Sequence, residues 1–210
     1  MTALQPPSPA ASAHVLDGQG IDRVLTRLAH EIREHHPEDF ARVVIAGIRE
    51  GGVVVARELA LRLGAMWRHD VPLVALDVSG FRDDRPRQPA PFRAWEVLAG
   101  DPPPGPSEAA ARPREHPRPS AAEGPDGMVV VLVDDVIQTG RTMRAAFDLV
   151  ASRGRPAAIE MAVLVDRGGR EVPVRPNHVG RNLPVAPADW VEIRFGPGTG
   201  EPGIFVVPGR

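Results

Sequence analysis

Two adjacent carboxylates, Asp134 and Asp135, stand just before a short turn that carries hydroxyl groups and a glycine, Thr139–Thr142. The apolar run before them, 129–133, is rich in β-branched residues and indicates a strand buried on both faces of a parallel sheet. The amphipathic stretch after the turn, 143–150, predicts a helix whose first N–H groups have no intrahelical partner. Carboxylates suit sugar hydroxyls or a metal ion, whereas free N–H and hydroxyl donors suit a phosphate. The segment therefore predicts a site for a ribose 5-phosphate.

The same segment differs from two other phosphate-binding motifs. A Walker loop requires GxxxxGK followed by Ser or Thr, and the chain contains no Lys. A dinucleotide site requires GxGxxG after the first strand, which the chain lacks. The simpler alternative is a solvated strand end followed by an ordinary helix start. The combination of acidic pair, turn and helix favours the phosphate site.

Composition limits the class of protein. With 210 residues, 42% hydrophobic content and a net charge of −2, the chain can bury the core of one α/β domain and has no overall basic field. Cysteine is absent, which excludes disulfides, thiolate metal ligands and cysteine nucleophiles. No apolar run approaches the length of a membrane span, and the start does not resemble a signal peptide. A cytoplasmic protein without a membrane partner is therefore expected.

Hydrophobic periodicity predicts strands and helices in alternation. Helices are predicted over 17–35 and 53–63, and strands over 42–46, 72–79, 129–133, 158–165, 190–195 and 204–207. The Pro/Ser/Ala-rich start, 1–14, is predicted to be a disordered tail, and the Pro-rich stretch 101–127 a disordered insertion in one domain that spans 15–208.

The acidic pair and the Thr-Gly-x-Thr turn resemble the signature that type I phosphoribosyltransferases use for 5-phosphoribosyl 1-diphosphate (PRPP). Further short motifs occur in the order found in the PyrR family, which couples uracil phosphoribosyltransferase activity to control of pyrimidine operons. These motifs lie at 25–31, 46–49, 82–84, 164–168, 170–175 and 179–184. The chain is therefore identified as a member of that family. The resemblance implies an α/β fold of the type I phosphoribosyltransferase kind, a mostly parallel twisted sheet flanked by helices with a small hood and a mobile loop.

For the transferase, the resemblance implies that uracil and PRPP give UMP and diphosphate, with Mg²⁺ as cofactor. It assigns catalysis to Asp134, Asp135 and Arg82, and the two aspartates also hold the metal. Arg82, on the mobile loop, is expected to close over the diphosphate. The implied PRPP-binding residues are Val130, Val131, Leu132, Val133, Asp134, Asp135, Val136, Ile137, Gln138, Thr139, Gly140, Arg141, Thr142, Arg49, Glu50 and Gly51.

Two further groups of residues follow from the same resemblance. Uracil is expected to be bound by Asp166, Arg167 and the neighbourhood of Val185 through backbone groups, although Asp166 could instead contact Mg²⁺ or serve as a structural strand end. The leader RNA of pyrimidine genes is the implied partner of a basic surface, and UMP is the implied regulator. The residues of that surface are Thr26, Arg27, His30, Arg170, Arg175 and Arg181. Scattered charges of this kind are otherwise solvated side chains or ion-pair partners.

The chain departs from the family pattern at Glu50-Gly51, where PyrR proteins typically have Thr-Arg. An exposed carboxylate near a diphosphate is unfavourable by about 1 kcal/mol. Two interpretations stay open: a bifunctional enzyme and regulator, or a UMP-sensing RNA-binding regulator with little transferase activity. The motifs outside the PRPP segment disfavour a phosphoribosyltransferase for another base. A homodimer or larger homo-oligomer is expected from the family.

Overall fold

Strands and helices alternate along most of the chain. The computed structural model describes residues 12–37, 40–84, 86, 94–99, 121–196 and 200–209. The helices in this part are α1 (Gly18–His35), α2 (Gly51–Trp67) and α3 (Arg141–Arg153). The strands are β1 (Ala13–Asp17), β2 (Val43–Ile48), β3 (Leu73–Leu76), β4 (Trp95–Ala99), β5 (Val129–Ile137), β6 (Ala158–Asp166), β7 (His178–Asn182), β8 (Trp190–Arg194) and β9 (Gly203–Val207).

The larger sheet has the strand order β4-β3-β2-β5-β6-β7. Its neighbouring strands are parallel, except that β4 runs antiparallel to β3 at one edge. The carboxyl ends of β2, β5 and β6 therefore meet at one side of the sheet, where open α/β sheets bind their ligands. The predicted α/β fold with a mostly parallel sheet is confirmed.

Alternation along β5 sends successive side chains to opposite faces of this sheet. Val129, Val131 and Val133 pack into the core that includes α1 and α2, whereas Val130 and Leu132 pack into the core that includes α3. Because both faces are covered, the strand is a continuous apolar run in the sequence. Two helices thus cover one face of the sheet and one helix covers the other.

The first helix shows how a sequence pattern becomes a packed face. Its N-terminus is capped by Asp17, whose side chain accepts a hydrogen bond from the Gly20 N–H at 2.7 Å. Leu28 and Ile32 lie at helical spacing and are fully buried. Removing each such side chain from water contributes about 1.5–3 kcal/mol. The helix predicted over 17–35 is confirmed.

A smaller antiparallel sheet, of order β1-β9-β8, joins segments near both ends of the chain. The two predicted C-terminal strands correspond to β8 and β9. The sequence pattern does not predict β1, which begins at Ala13 and so includes the end of the segment 1–14 expected to be a disordered tail. Pairing with β9, rather than local propensity, accounts for this strand. Residues 1–11 lie outside the described part of the chain.

Two regions extend further than their predicted elements. β5 continues past Val133 to Ile137 because this stretch pairs with β6. Of the predicted insertion, residues 101–120 lie outside the described residues, whereas 121–127 form turns. Ala121 is buried there, and its carbonyl accepts a hydrogen bond from Trp95 Nε1 at 2.9 Å. Within the described ranges, no helix has the length and apolar character to cross a membrane.

Candidate active site

The acidic pair, Asp134 and Asp135, lies near the carboxyl end of β5. Asp134 is only 8% exposed and lines a cavity beside α3. Asp135 is half-buried and lies against Gly51 at the start of α2. The Asp135 N–H donates to Asp134 Oδ1 at 3.0 Å, and the Val136 N–H donates to Asp135 Oδ1 at 2.8 Å. The two carboxylates are therefore close neighbours, of which Asp134 borders the cavity and Asp135 borders Gly51.

Burial raises the pKa of Asp134 well above its usual value, and the negative charge of Asp135 and a side-chain hydrogen bond with it raise it further. The backbone hydrogen bond from Asp135 and the positive charge of Arg82 oppose this shift. A cation or a hydroxyl donor placed beside Asp134 would favour its ionised form in the same way. This carboxyl group is therefore in a position to gain from binding such a partner.

The turn after β5 is the predicted cradle for a phosphate. Gly140 precedes the first residue of α3, has a φ of +85° and leaves the helix without a side-chain cap. A Cβ on Gly140 would overlap Cγ2 of Val174, so both the backbone angle and the available space require glycine. The cradle borders a cavity of about 270 Å³. Its lining residues are Arg82, Asp84, Asp134, Val136, Ile137, Gln138, Thr139, Gly140, Thr142 and Met143.

Arg82 reaches across this cavity. Its Nη1 donates to Thr142 Oγ1 at 3.0 Å, and its Nε donates to Asp84 Oδ1 at 2.8 Å. Nη2 contacts the other oxygen of Asp84, so the guanidinium and carboxylate form a two-point pair. Hydrogen bonding to Asp84 raises the pKa of Arg82. The guanidinium therefore already holds an anion next to the proposed phosphate position.

Two residues that sequence reasoning did not assign to the site, Asp83 and Arg144, help to hold this loop in place. Asp83 forms ion pairs with Arg141 and with Arg144, both at 3.2 Å, at the N-terminal end of α3. The sequence signal for these contacts is the Arg-Asp-Asp run at 82–84. The sequence alone does not indicate which basic residues its two aspartates contact. Residues 85 and 87–93, in the segment predicted to be a mobile loop, lie outside the described residues.

The loop between β2 and α2 carries the predicted residues Arg49, Glu50 and Gly51. Arg49 forms an ion pair with Glu96 of β4, which sequence reasoning also missed because β4 was not predicted. The Glu50 side chain is exposed, and the Arg49–Glu50 peptide bond is cis. Gly51 begins α2 directly beside the Asp135 carboxylate. The structure thus brings the predicted diphosphate loop to the α2 side of the acidic pair.

Asp166 ends β6 and starts the loop predicted to bind uracil. Its Oδ1 accepts a hydrogen bond from the Gly168 N–H at 2.9 Å, and its Oδ2 accepts one from Arg170 Nη2 at 2.6 Å. Arg167 is buried, and its N–H donates to the Ile137 carbonyl at 3.1 Å. This bond ties the loop to the end of β5. The Asp166 side chain thus has structural partners of its own.

Val185 lies in the segment that follows β7 and is half-buried. This segment is joined to the Asp166 loop by two hydrogen bonds. The Leu183 N–H donates to the Asp166 carbonyl at 2.8 Å, and Arg167 Nη2 donates to the Ala186 carbonyl at 3.3 Å. The two predicted uracil-binding segments are therefore neighbours.

The residues assigned to an RNA-binding surface occupy two places. Thr26, Arg27 and His30 lie on α1, and Arg181 lies on β7, against which α1 packs. Arg27 Nη2 donates to the carbonyls of residues 179–180 at 3.0 and 2.5 Å, which holds the helix to the strand. Except for the half-buried Thr26, these side chains are exposed.

The other two arginines of that group lie after β6. Arg170 is used within the chain: besides Asp166, it donates to the carbonyls of Val174 at 3.1 Å and Gln138 at 2.7 Å. Arg175 is exposed. Arg170 is therefore a structural tie between the Asp166 loop and the turn after β5.

The described residues contain no group of three or more His, Asp or Glu side chains that could hold a metal ion. A larger cavity, of about 520 Å³, lies on the outer side of α2 and is lined mainly by apolar side chains such as Leu61 and Leu98. That lining does not suit a phosphorylated sugar. The smaller polar cavity at the end of β5 is the better candidate site.

Comparisons with known proteins agree with this geometry. Residues 12–198 match the family described as "Phosphoribosyl transferase domain". The chain is 40% identical over 184 residues to a "Bifunctional protein PyrR" from Geobacter sp. (strain M21), covering 86% of this chain and 89% of that protein. It is 40% identical over 181 residues to the protein of the same name from Streptomyces coelicolor, covering 86% and 82%.

A solved structure shares the fold at low sequence identity. The hypoxanthine phosphoribosyltransferase of Trypanosoma cruzi superimposes with a TM-score of 0.61 at 18% identity, covering 95% of this chain and 98% of that one. At this identity the likeness concerns the fold alone.

Proposed function

The chain belongs to the phosphoribosyltransferase family and, within it, to the PyrR proteins, and from this premise we propose that it forms UMP and diphosphate from uracil and PRPP. The observation that carries the proposal is the cavity of about 270 Å³ in which Asp134, the uncapped start of α3 and Arg82 converge. A sugar phosphate presents hydroxyls and an anion at matching positions.

The turn after β5 is proposed to hold the 5-phosphate. The first N–H groups of α3 have no intrahelical partners, and the residues Thr139 and Thr142 add hydroxyl donors to the cavity lining. Gly140 lets the backbone approach an anion closely. Such a cradle fixes one end of PRPP, so that the anomeric carbon lies at a defined distance from it.

The acidic pair and two arginines are proposed to manage the other end of PRPP. Loss of diphosphate leaves positive charge on the ribose, which needs sugar positioning and leaving-group neutralisation rather than a covalent nucleophile. Asp134 would hold a ribose hydroxyl. Arg82, now paired with Asp84, would exchange that carboxylate for diphosphate oxygens, and Arg49 would do the same from its pair with Glu96.

Mg²⁺ fits this site as an ion carried largely by the substrate. The protein offers two neighbouring carboxylates, Asp134 and Asp135, and lacks a larger ligand cluster among the residues described. Mg²⁺ typically takes one or two carboxylates together with substrate phosphates and water. When bound, it would neutralise charge on the departing diphosphate.

Uracil is proposed to lie between the Asp166 loop and the segment around Val185. These segments are hydrogen-bonded neighbours and adjoin the end of β5 through the Arg167 N–H. A pyrimidine's amide edge pairs well with main-chain donors and acceptors. Because the Asp166 carboxylate already bonds to Gly168 and Arg170, we assign it the shaping of this loop rather than metal binding.

The test is the formation of UMP from labelled uracil and PRPP with Mg²⁺, beside a variant that carries Asp134→Asn and Asp135→Asn. Turnover in the unaltered protein and its loss in the folded variant are expected. A parallel reaction with hypoxanthine checks base choice. Nucleotide formation from hypoxanthine and not uracil would overturn the substrate assignment, and no turnover with either base would overturn the enzyme assignment.

We further propose that the α1 and β7 surface binds the leader RNA of pyrimidine genes, with UMP in the active site favouring the bound form. The support is the name "bifunctional" of the relatives and the nearness of Arg27 and Arg181, since Arg27 bonds to the carbonyl just before Arg181. His30 is exposed on the same helix, and Arg175 lies exposed before β7. Nothing in these findings favours the alternative of a UMP sensor with little transferase activity.

RNA binding is tested by titrating a leader RNA against Arg181→Ala, with Arg153→Ala on α3 as the matched exposed control. Loss of one phosphate contact should weaken affinity and reduce the slope of log K against log salt concentration by about 1. Equal affinities for both variants and the unaltered protein would count against this surface. A homodimer or larger assembly and a cytoplasmic location are part of the same proposal, and a strict monomer at micromolar concentration would refute the former.

A further inference from the structure

Gly51 lies in an unusual relation to the acidic pair. A Cβ placed on this residue would stand 2.5 Å from Asp135 Cγ and closer still to Oδ2, far inside van der Waals contact. The carboxylate of Asp135 therefore occupies the space that a side chain at position 51 would need. It is held there by the Val136 N–H, which donates to Oδ1 at 2.8 Å.

The neighbouring glycine shows why this contact is special. A Cβ on Gly52 would overlap the Val133 carbonyl oxygen and approach Asp134 Cα to 3.0 Å, and both are fixed backbone atoms. At Gly52 any side chain would force the helix away from β5. At Gly51 the obstacle is the end of a side chain, which can rotate away. A residue with a side chain at position 51 thus remains compatible with the fold but not with this carboxylate position.

We infer that Gly51 is a positioning residue: its missing side chain provides the slot that holds the Asp135 carboxylate on the α2 side, next to the diphosphate loop. The Asp134 carboxylate remains its neighbour, since Asp134 Oδ1 accepts from the Asp135 N–H at 3.0 Å and lies 3.2 Å from the position of a Cβ on Gly52. Among the described residues the 270 Å³ cavity is lined by Asp134 and not by Asp135. The slot therefore holds Asp135 against the diphosphate loop, while its neighbour Asp134 borders the cavity.

This inference rests on the proposed function for its meaning, because the diphosphate side matters only if PRPP is the ligand. The departure Glu50-Gly51 then has a physical role. Where the family pattern places an arginine, this chain places the Asp135 carboxylate, which suits the Mg²⁺ that accompanies diphosphate rather than diphosphate itself. Arg49 remains as the cation of the loop.

The experiment is a double-mutant cycle with Gly51→Ala, Asp135→Ala and the combined variant, with Gly64→Ala as the control for an added methyl in the same helix. Calorimetry measures binding of PRPP with Mg²⁺ and, separately, of UMP. Gly51→Ala should weaken Mg²⁺–PRPP binding by about 10-fold, as for loss of a group that orients a metal ligand, and leave UMP binding unchanged. In the Asp135→Ala background the added methyl should have no further effect. Equal losses in both backgrounds, or for both ligands, would overturn the inference.

The ligand-free proteins provide an independent arm. Thermal melting should show a lower Tm for Gly51→Ala than for Gly64→Ala, and this difference should vanish when Asp135 is alanine. If the unaltered protein does not bind PRPP, the proposed function fails, but the melting cycle still decides whether Asp135 fills the slot. A Gly51→Ala penalty that persists without the carboxylate would show that the backbone, not Asp135, needs the glycine.

Discussion

The turns that follow β2 and β5 meet at one edge of the sheet but are built differently. The turn after β5 combines a glycine at φ +85°, two threonines and an uncapped helix start around a cavity. The turn after β2 has an exposed glutamate, an arginine paired with Glu96, and glycines that press α2 onto the end of β5. The turn after β5 is thus proposed to hold an anion, whereas the turn after β2 positions a carboxylate.

The difference shows how one pair of aspartates can do two tasks. Asp134 borders the cavity beside α3, and Asp135 lies against Gly51 at the start of α2. The phosphate turn keeps the family pattern, while the diphosphate turn departs from it. Function is therefore expected to be more sensitive to changes in the phosphate turn.

Replacing Gly140 with alanine tests the turn after β5, where we expect the larger effect on activity. The new Cβ would overlap Val174, and the alanine would have to adopt a φ of +85°, so the turn should shift. We expect kcat/KM for PRPP to fall by about 100-fold, as for a small misplacement of a bound substrate. Gly64→Ala is the control. Undiminished activity in a folded Gly140→Ala protein would refute the assignment of the cradle.

Arg82→Ala removes the cation that spans the cavity. Loss of a charged hydrogen-bond donor of about 1.5–3 kcal/mol predicts a fall of about 10- to 100-fold in kcat/KM. Arg82→Lys keeps the charge but not the fork of donors, so it should recover only part of the loss. Full recovery with lysine would show that geometry is unimportant here.

The opposite edge of the sheet provides a stability control. A hydrogen bond from His178 at 3.0 Å, assisted by one from His36, lowers the pKa of Glu160 from the usual 4.5 to about 2. The folded state thus keeps this carboxylate ionised while the unfolded state binds a proton near pH 4.5. The resulting stabilisation is complete above pH 4.5 and disappears as the pH falls toward 2.

Glu160→Gln should therefore lower the free energy of unfolding at pH 7 by about 1–2 kcal/mol, after allowance for solvent screening. Urea unfolding at several pH values measures the gap between the two proteins, which should close as the pH falls from 4.5 to 2. Transferase activity at pH 7 should be retained, since Glu160 is remote from the carboxyl edge. A gap independent of pH would contradict the pKa assignment.

Glu50→Gln tests the turn after β2, where we expect the smaller effect on activity. Removing an exposed negative charge near diphosphate should improve KM for PRPP by about 5-fold, which corresponds to about 1 kcal/mol. The improvement should shrink at high salt because exposed charges are screened. Glu201→Gln, an exposed change between β8 and β9, should have no effect. A higher KM for PRPP in Glu50→Gln would mean that the carboxylate assists binding.

The sequence predicted those parts of the fold whose signal is local. The apolar run before Asp134 and the periodic apolar faces of α1 and α3 can be recognised from the local sequence alone. β1, β4 and β7 were missed because each is a short edge or hairpin strand that gains its structure by pairing with distant residues. The family motif likewise identified the phosphate cradle, which is contiguous in the chain.

The division of the acidic pair was within reach of sequence reasoning but required the correct end of β5. The predicted strand stopped at Val133 and placed both aspartates just at its carboxyl end, which does not define the direction of their side chains. Pairing of β5 with β6 continues to Ile137 and so includes both aspartates in the strand. The contacts of Arg82 with Thr142 and of Arg49 with Glu96 join segments that are distant in the sequence, and only the structure reveals their geometry.

Calorimetric binding of UMP and of Mg²⁺–PRPP to the single variants Asp134→Asn and Asp135→Asn tests the central claim most directly. If Asp134 holds the ribose phosphate and Asp135 serves the diphosphate loop, Asp134→Asn weakens both ligands, because each carries a ribose phosphate. Asp135→Asn then weakens Mg²⁺–PRPP alone, because UMP has no diphosphate. Equal losses of both ligands in both variants would contradict the division and return the pair to a single shared task.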